Sequence, residues 1–180
     1  MAHNARVGGR VTPVASPMRT MVQICLGRAG PQDLPASGAL LAAALLLHAA
    51  ADVLSLRDLL PWAEALKTGL VHTLLLAALT HVALLLRRLE HRARQTIAAV
   101  AGCGAMISFL VWGASVLLAE TLPPWLVLAP FLLWYLGVTG HILRQALAVP
   151  FAAGVALGFA FFILSSAVTG ALIRLPQALG

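Results

Sequence analysis

Apolar positions along this chain gather into five long runs, 38–56, 63–86, 96–119, 125–143 and 151–173, with polar side chains scattered thinly inside them. Each run has about the 18 to 25 residues that cross roughly 30 Å of hydrocarbon as a helix. None of the short alternating segments of a membrane β-barrel is present, so each run is expected to satisfy its own backbone as an α-helix. The expected fold is an all-α integral membrane protein: a compact bundle of five transmembrane helices behind a short amphipathic interfacial helix. The stretches between runs are short, which makes consecutive helices antiparallel neighbours.

Polar detail adjusts the second and fourth runs. Glu64 and Lys67 stand at i, i+3 and pair near the start of the second, so full burial is expected from Gly69 onward. Pro123, Pro124 and Pro130 mark the fourth, whose first turns are expected to bend.

Ahead of the first run lie three pieces. Residues 1–17, with Gly8, Gly9, Pro13 and Pro17, are expected to be disordered, and Met18 or Met21 is an alternative start. Residues 18–37 are expected to form a cytoplasmic amphipathic helix and a proline-containing turn. In that helix Met21, Val22, Cys25 and Leu26 share a face, away from Arg19, Gln23 and Arg28, a pattern suited to the membrane surface. Pro31 and Pro35 fix the turn, and Ser37 is positioned to cap the first span. No apolar core of a signal peptide precedes Gly38.

Composition agrees with the pattern: 61% of the 180 residues are hydrophobic, 10% are charged, and the mean hydropathy is +0.93. Soluble domains carry about 25% charged residues, so an ordinary soluble enzyme, a disordered tail and a coiled coil are excluded. Twelve Lys and Arg stand against six Asp and Glu. In a membrane chain this excess reports topology, and no nucleic-acid partner is expected. Arg6, Arg10, Arg19 and Arg28 precede the first span, and the basic turn Arg87, Arg88, Arg92 and Arg94 joins the second to the third. Both segments are expected in the cytoplasm, as is Arg144; Arg174 is the exception, and the N-terminus is placed inside and the C-terminus outside. Lys67 is the sole lysine, and arginine bias with Ala and Leu richness points to a GC-rich bacterial genome and hence the inner membrane. The basic turn also suits anionic headgroups or an acidic partner, though topology alone accounts for it.

Ionisable side chains inside a span cost roughly 2.5 to 3.5 kcal/mol each at the bilayer centre, which makes each a functional candidate. They are His48, Asp52, His72, His81 and His141. His48 and Asp52 stand at i, i+4 on one face of the first helix, where a carboxylate can hold an imidazole and pass a proton. His72 and His81, nine positions apart, point to opposite sides of one helix and cannot share a metal. Bis-histidine haem, through His48 with His72 or His81 with His141, is a second reading. Histidines hydrogen-bonded for structure alone are the third and leading one. No phosphate loop, paired-cysteine zinc motif, HExxH or nucleophile turn is present, so no catalytic residue, metal or resident cofactor is expected. Cys25 and Cys103 do not form a disulfide framework, and Cys103 between Gly102 and Gly104 reads as small-residue packing.

Close helix packing is the clearest element-level signal. Gly154 and Gly158 form a GxxxG pair, continued along one stripe by Ser165 and Thr169, and Gly102 shares a face with Ala98 and Met106. Contact within the bundle is expected ahead of contact with a second copy. Trp62 and Trp125, nearest the span ends, are expected as interface anchors.

The segment Arg28-Ala29-Gly30-Pro31-Gln32-Asp33-Leu34-Pro35, the Thr96-Ile97-Ala98-Ala99-Val100 start of the third span and the Gly-rich fifth span together resemble the Yip-domain family of small five-span membrane proteins. The resemblance implies an integral membrane protein without catalytic residues and transfers no site. The leading expectation is a non-catalytic scaffold or assembly component touching lipid and itself or another membrane protein. A haem electron carrier and a small proton-coupled carrier through His48 and Asp52 are the alternatives.

Overall fold

The computed structural model describes residues 16–57, 60–118 and 120–178. Among them six helices follow one another: α1 (Pro17–Cys25), α2 (Gly38–Leu56), α3 (Trp62–Leu86), α4 (Ala93–Leu118), α5 (Pro124–Leu147) and α6 (Phe151–Ala178). Two short 3₁₀ turns, Pro31–Asp33 and Glu90–Arg92, precede α2 and α4. Helices α2 to α6 are each long and apolar enough to cross a membrane, and no strand is present among the described residues. The leading segment expected to be disordered, with Arg6 and Arg10, lies outside the described residues except for Ser16 and Pro17.

Local chemistry sets the helix ends. Ser37 Oγ accepts from the Leu40 amide at 3.4 Å and starts α2. Helix α3 ends at Leu86 with Arg88 in the left-handed region at φ 56°, the Leu89 amide returning to Leu84 O in 2.8 Å. Helix α4 begins at Ala93 and α5 runs to Leu147, both beyond the apolar runs, because Arg94, Gln95, Arg144 and Gln145 are good helix formers outside the hydrocarbon-like stretch. The Glu64–Lys67 ion pair forms as expected, Nζ to Oε1 at 2.5 Å.

Helix α4 is the centre, packed against α1, α2, α3 and α5, while α6 leans on α5 and α3. Its small residues explain this: Ala98, Ala99, Ala101, Gly102, Gly104 and Ala105 are all buried, so the helix is thin and neighbours approach closely. The GxxxG stripe of α6 is used inside the bundle. Gly154 lies against the Gly140 carbonyl and the Arg144 amide of α5, and Gly158 against Thr139. Large apolar side chains face outward, among them Leu46, Leu86, Leu117 and Leu133.

Helix α1 differs from the expectation. Its buried side is Thr20, Met21, Ile24 and Cys25, whereas Val22 and Leu26 are exposed. That face docks on α4 and α5, with Met21 over Gly102. A cavity among α1, α2 and α4 is lined by Pro17 and Met18 together with Leu47 of α2 and Phe109 of α4. At 1.5 Å per residue those partners stand about 14 and 24 Å from the Gly38 and Ala93 helix starts, so α1 reaches well down the bundle. The helix stops at a Gly27 turn, φ 70°, where Arg28 N returns to Gln23 O and Gly27 N to Ile24 O. Side chains from the bundle then hold the linker by its carbonyls. Trp134 Nε1 donates to Cys25 O at 3.0 Å, His141 Nε2 to Ala29 O at 2.9 Å and Gln95 Nε2 to Leu34 O at 2.6 Å.

Candidate functional site

Three of the ionisable residues of the long apolar helices, His48, Asp52 and His72, meet at one place. Asp52 of α2 accepts from His72 Nδ1 of α3 at 2.6 Å, and His48 Nδ1, one turn earlier on α2, lies 3.3 Å from the same oxygen, Oδ2. Thr73 Oγ1 of α3 stands 3.0 Å from His48 Nδ1. The two imidazoles are 5.6 Å apart between centroids and tilted by 51°. His48 is 2% exposed, whereas the His72 side chain keeps 31% of its surface open.

Glycines make this geometry. At Gly69 of α3 an added Cβ would stand 3.2 Å from the Val53 amide nitrogen and 3.3 Å from the Ala49 carbonyl oxygen of α2, so the two backbones nearly touch. That approach brings the short Asp52 side chain within reach of a ring on another helix. At Gly104 of α4 a Cβ would stand 3.0 Å from His48 Cδ2, so the missing side chain is the space in which the imidazole lies.

Two cavities of about 300 and 310 Å³ adjoin the cluster and share Asp52, His72, Ser108, Val111 and Phe162 in their walls. One extends towards Ser55, Thr68, Ser166 and Thr169, the other towards Tyr135 and Phe131. Thr169 Oγ1 is buried in the first wall with no hydrogen-bond partner among the described residues. The first wall sets the hydroxyls of Ser55, Thr68, Ser108, Ser166 and Thr169 and the Asp52 carboxylate among Leu56, Val111 and Phe162, whereas the second is mainly apolar.

The sequence candidates thus separate. His48 and Asp52 meet as their spacing requires, and His72 joins them from α3. His141 is engaged with the Ala29 carbonyl, and His81 is exposed on the outer side of α3. In the inner pair both Nδ1 atoms face the same carboxylate oxygen, Asp52 Oδ2, at 2.6 Å from His72 and 3.3 Å from His48. The basic turn divides too: Arg87 Nη2 donates to Leu147 O at 3.4 Å and Arg92 Nη1 to Ala146 O at 3.3 Å, capping the last carbonyls of α5, while Arg88 and Arg94 are exposed. Gly102 seats Met21, and Gly154 and Gly158 seat α5. Thr73, Ser108, Tyr135, Gly69 and Gly104 were not singled out from sequence as site residues. The available signal was a Thr beside His72 and two glycines inside apolar runs. The chain matches no protein-family model, no curated protein and no solved structure.

Proposed function

We propose that the protein is a small multi-pass membrane carrier whose His48–Asp52–His72 cluster is an intramembrane cation-binding site. The observation that carries this reading is the shared carboxylate oxygen, contacted by two imidazoles from two helices and adjoining two cavities, one of them with five hydroxyl side chains in its wall. Ionisable groups inside a span are costly and are kept where they line an ion path or bind a ligand. A scaffold that works only by helix packing needs none of them, and the packing stripes of Gly102, Gly154 and Gly158 are already occupied within the bundle. In this reading the arginine-rich end, with Arg87, Arg88, Arg92 and Arg94, faces the cytoplasm of a bacterium, placing the protein in the inner membrane with its N-terminus inside and C-terminus outside.

The test is flux. Purified protein in sealed liposomes with an internal pH dye is given a pH gradient and a compensating potassium diffusion potential. The expected result is proton entry above empty liposomes, abolished by Asp52→Asn and unchanged by Lys67→Ala, which lies outside the cluster. If protein-loaded and empty liposomes are equally tight, or Asp52→Asn conducts as well as the parent, the reading fails.

A further inference from the structure

We infer that the ion this cluster holds is a divalent transition-metal ion of the zinc type, bound by His48 Nδ1, Asp52 Oδ2 and His72 Nδ1 with a fourth position open to the cavities. The inference rests on the carrier reading for its role in transport and on donor geometry for the site itself.

The donor atoms of the three residues all lie within 4.8 Å of one another. A tetrahedral ion with ligands at about 2.0 to 2.2 Å sets its donors roughly 3.3 to 3.6 Å apart. The His48 Nδ1 to Asp52 Oδ2 separation, 3.3 Å, already has that value, and the His72 Nδ1 to Asp52 Oδ2 pair opens from 2.6 Å by about an ångström. The move falls to His72, the most open of the three side chains, whereas His48 is fixed between Gly104 and Thr73. Thr73 Oγ1 gives up its contact when His48 Nδ1 turns its lone pair to a metal.

Donor chemistry narrows the class. Two imidazoles disfavour Ca²⁺ and Mg²⁺, which take oxygen ligands, and suit zinc and its first-row neighbours. Soft ions that want thiolates find none at the cluster, since the two free cysteines lie at the α1–α4 contact, with Cys103 Sγ 3.6 Å from Met21 O. Three protein ligands with one open position differ from the closed four-ligand sites that hold structural zinc. One carboxylate also leaves a divalent ion with a net positive charge, so a fourth ligand must come from the cavity side. The open fourth position leaves room for water or another ligand from the cavity side.

The test uses the whole chain in detergent micelles, titrated with Co²⁺ and followed by its visible ligand-field band, then with Zn²⁺ as competitor. One equivalent of Co²⁺ per chain is expected, displaced by Zn²⁺ and not by Mg²⁺ or Ca²⁺. Asp52→Asn and His72→Ala are each expected to weaken binding at least tenfold with the helical circular dichroism unchanged, and the Cys25→Ser, Cys103→Ser double variant to keep it. His72→Cys, which restores a donor at the same place, is expected to bind and to add a thiolate-to-cobalt charge-transfer band. Absence of saturable binding, retention of full affinity by Asp52→Asn and His72→Ala, or loss with the cysteines overturns the inference. Liposome flux without metal binding overturns it and leaves the carrier reading standing. Metal binding without proton entry into the liposomes leaves the metal site and overturns the carrier.

Discussion

Asp52 is held by contacts from two helices, and its surroundings decide what a substitution there does. Asn keeps the size and one acceptor oxygen but loses the charge, so Asp52→Asn is expected to preserve the fold while removing cation binding and flux. Gly104 acts at one remove, by leaving room for the His48 ring. A Cβ there forces that buried imidazole to give way by a few tenths of an ångström, which overpacking measurements put at about 1 to 3 kcal/mol. Gly104→Ala is therefore expected to lower the thermal midpoint and weaken Co²⁺ binding together. A variant with a lower midpoint and unchanged metal affinity would show that Gly104 packs without positioning His48. At this scale the sequence was half legible. The i, i+4 spacing shows that His48 and Asp52 share a face, but no spacing rule says which residue of α3 meets them. That is settled by the backbone approach at Gly69, a tertiary event.

Helices were legible because their cause is local: an apolar run of sufficient length, a capping serine at 37, a glycine turn at 27. Their faces were less so. The sequence of α1 allows more than one apolar side, and the choice of Thr20, Met21, Ile24 and Cys25 is made by the groove that Gly102 opens in α4. Gly102→Leu is expected to eject Met21 and free α1, seen as fast hydrogen exchange of the α1 amides while α2 to α5 stay protected. Slow exchange in that variant would mean that α1 is held by its linker contacts alone. The end of α5 offers a gain. Ala148 lies in the left-handed region at φ 52°, where a side chain costs about 1 to 2 kcal/mol relative to glycine. Ala148→Gly is expected to raise the thermal midpoint in detergent by a few degrees, and a fall would show that Ala148 is stabilised by contacts outweighing its backbone conformation.

For the molecule as a whole, the five-helix plan and the arginine bias could be read from composition and run length, while the interior could not. Ser55, Thr68, Ser108 and Thr169 are scattered through four helices and look like ordinary polar residues until the fold turns them towards the same cavity. Arg87 and Arg92 likewise read as a topology signal, and the fold adds a second task by setting them on the last carbonyls of α5. Arg92→Ala is expected to fray the end of α5, with faster exchange of the amides around Leu147 and little change at the His48–Asp52–His72 cluster.

The account turns on whether the Asp52 and His72 wall is reached by water and ions although it lies inside a bundle of helices long and apolar enough to cross a membrane. Ser108 lines both cavities, which makes it the place to ask. In the Cys25→Ser, Cys103→Ser background, Ser108→Cys is reacted in sealed membranes with a small, charged, membrane-impermeant thiol reagent, with Ala105→Cys on the buried part of α4 as the control. The account predicts that the thiol at 108 reacts, that Zn²⁺ slows the reaction, and that the thiol at 105 stays inert. A thiol at 108 as unreactive as the one at 105, from either side of the membrane, would contradict it.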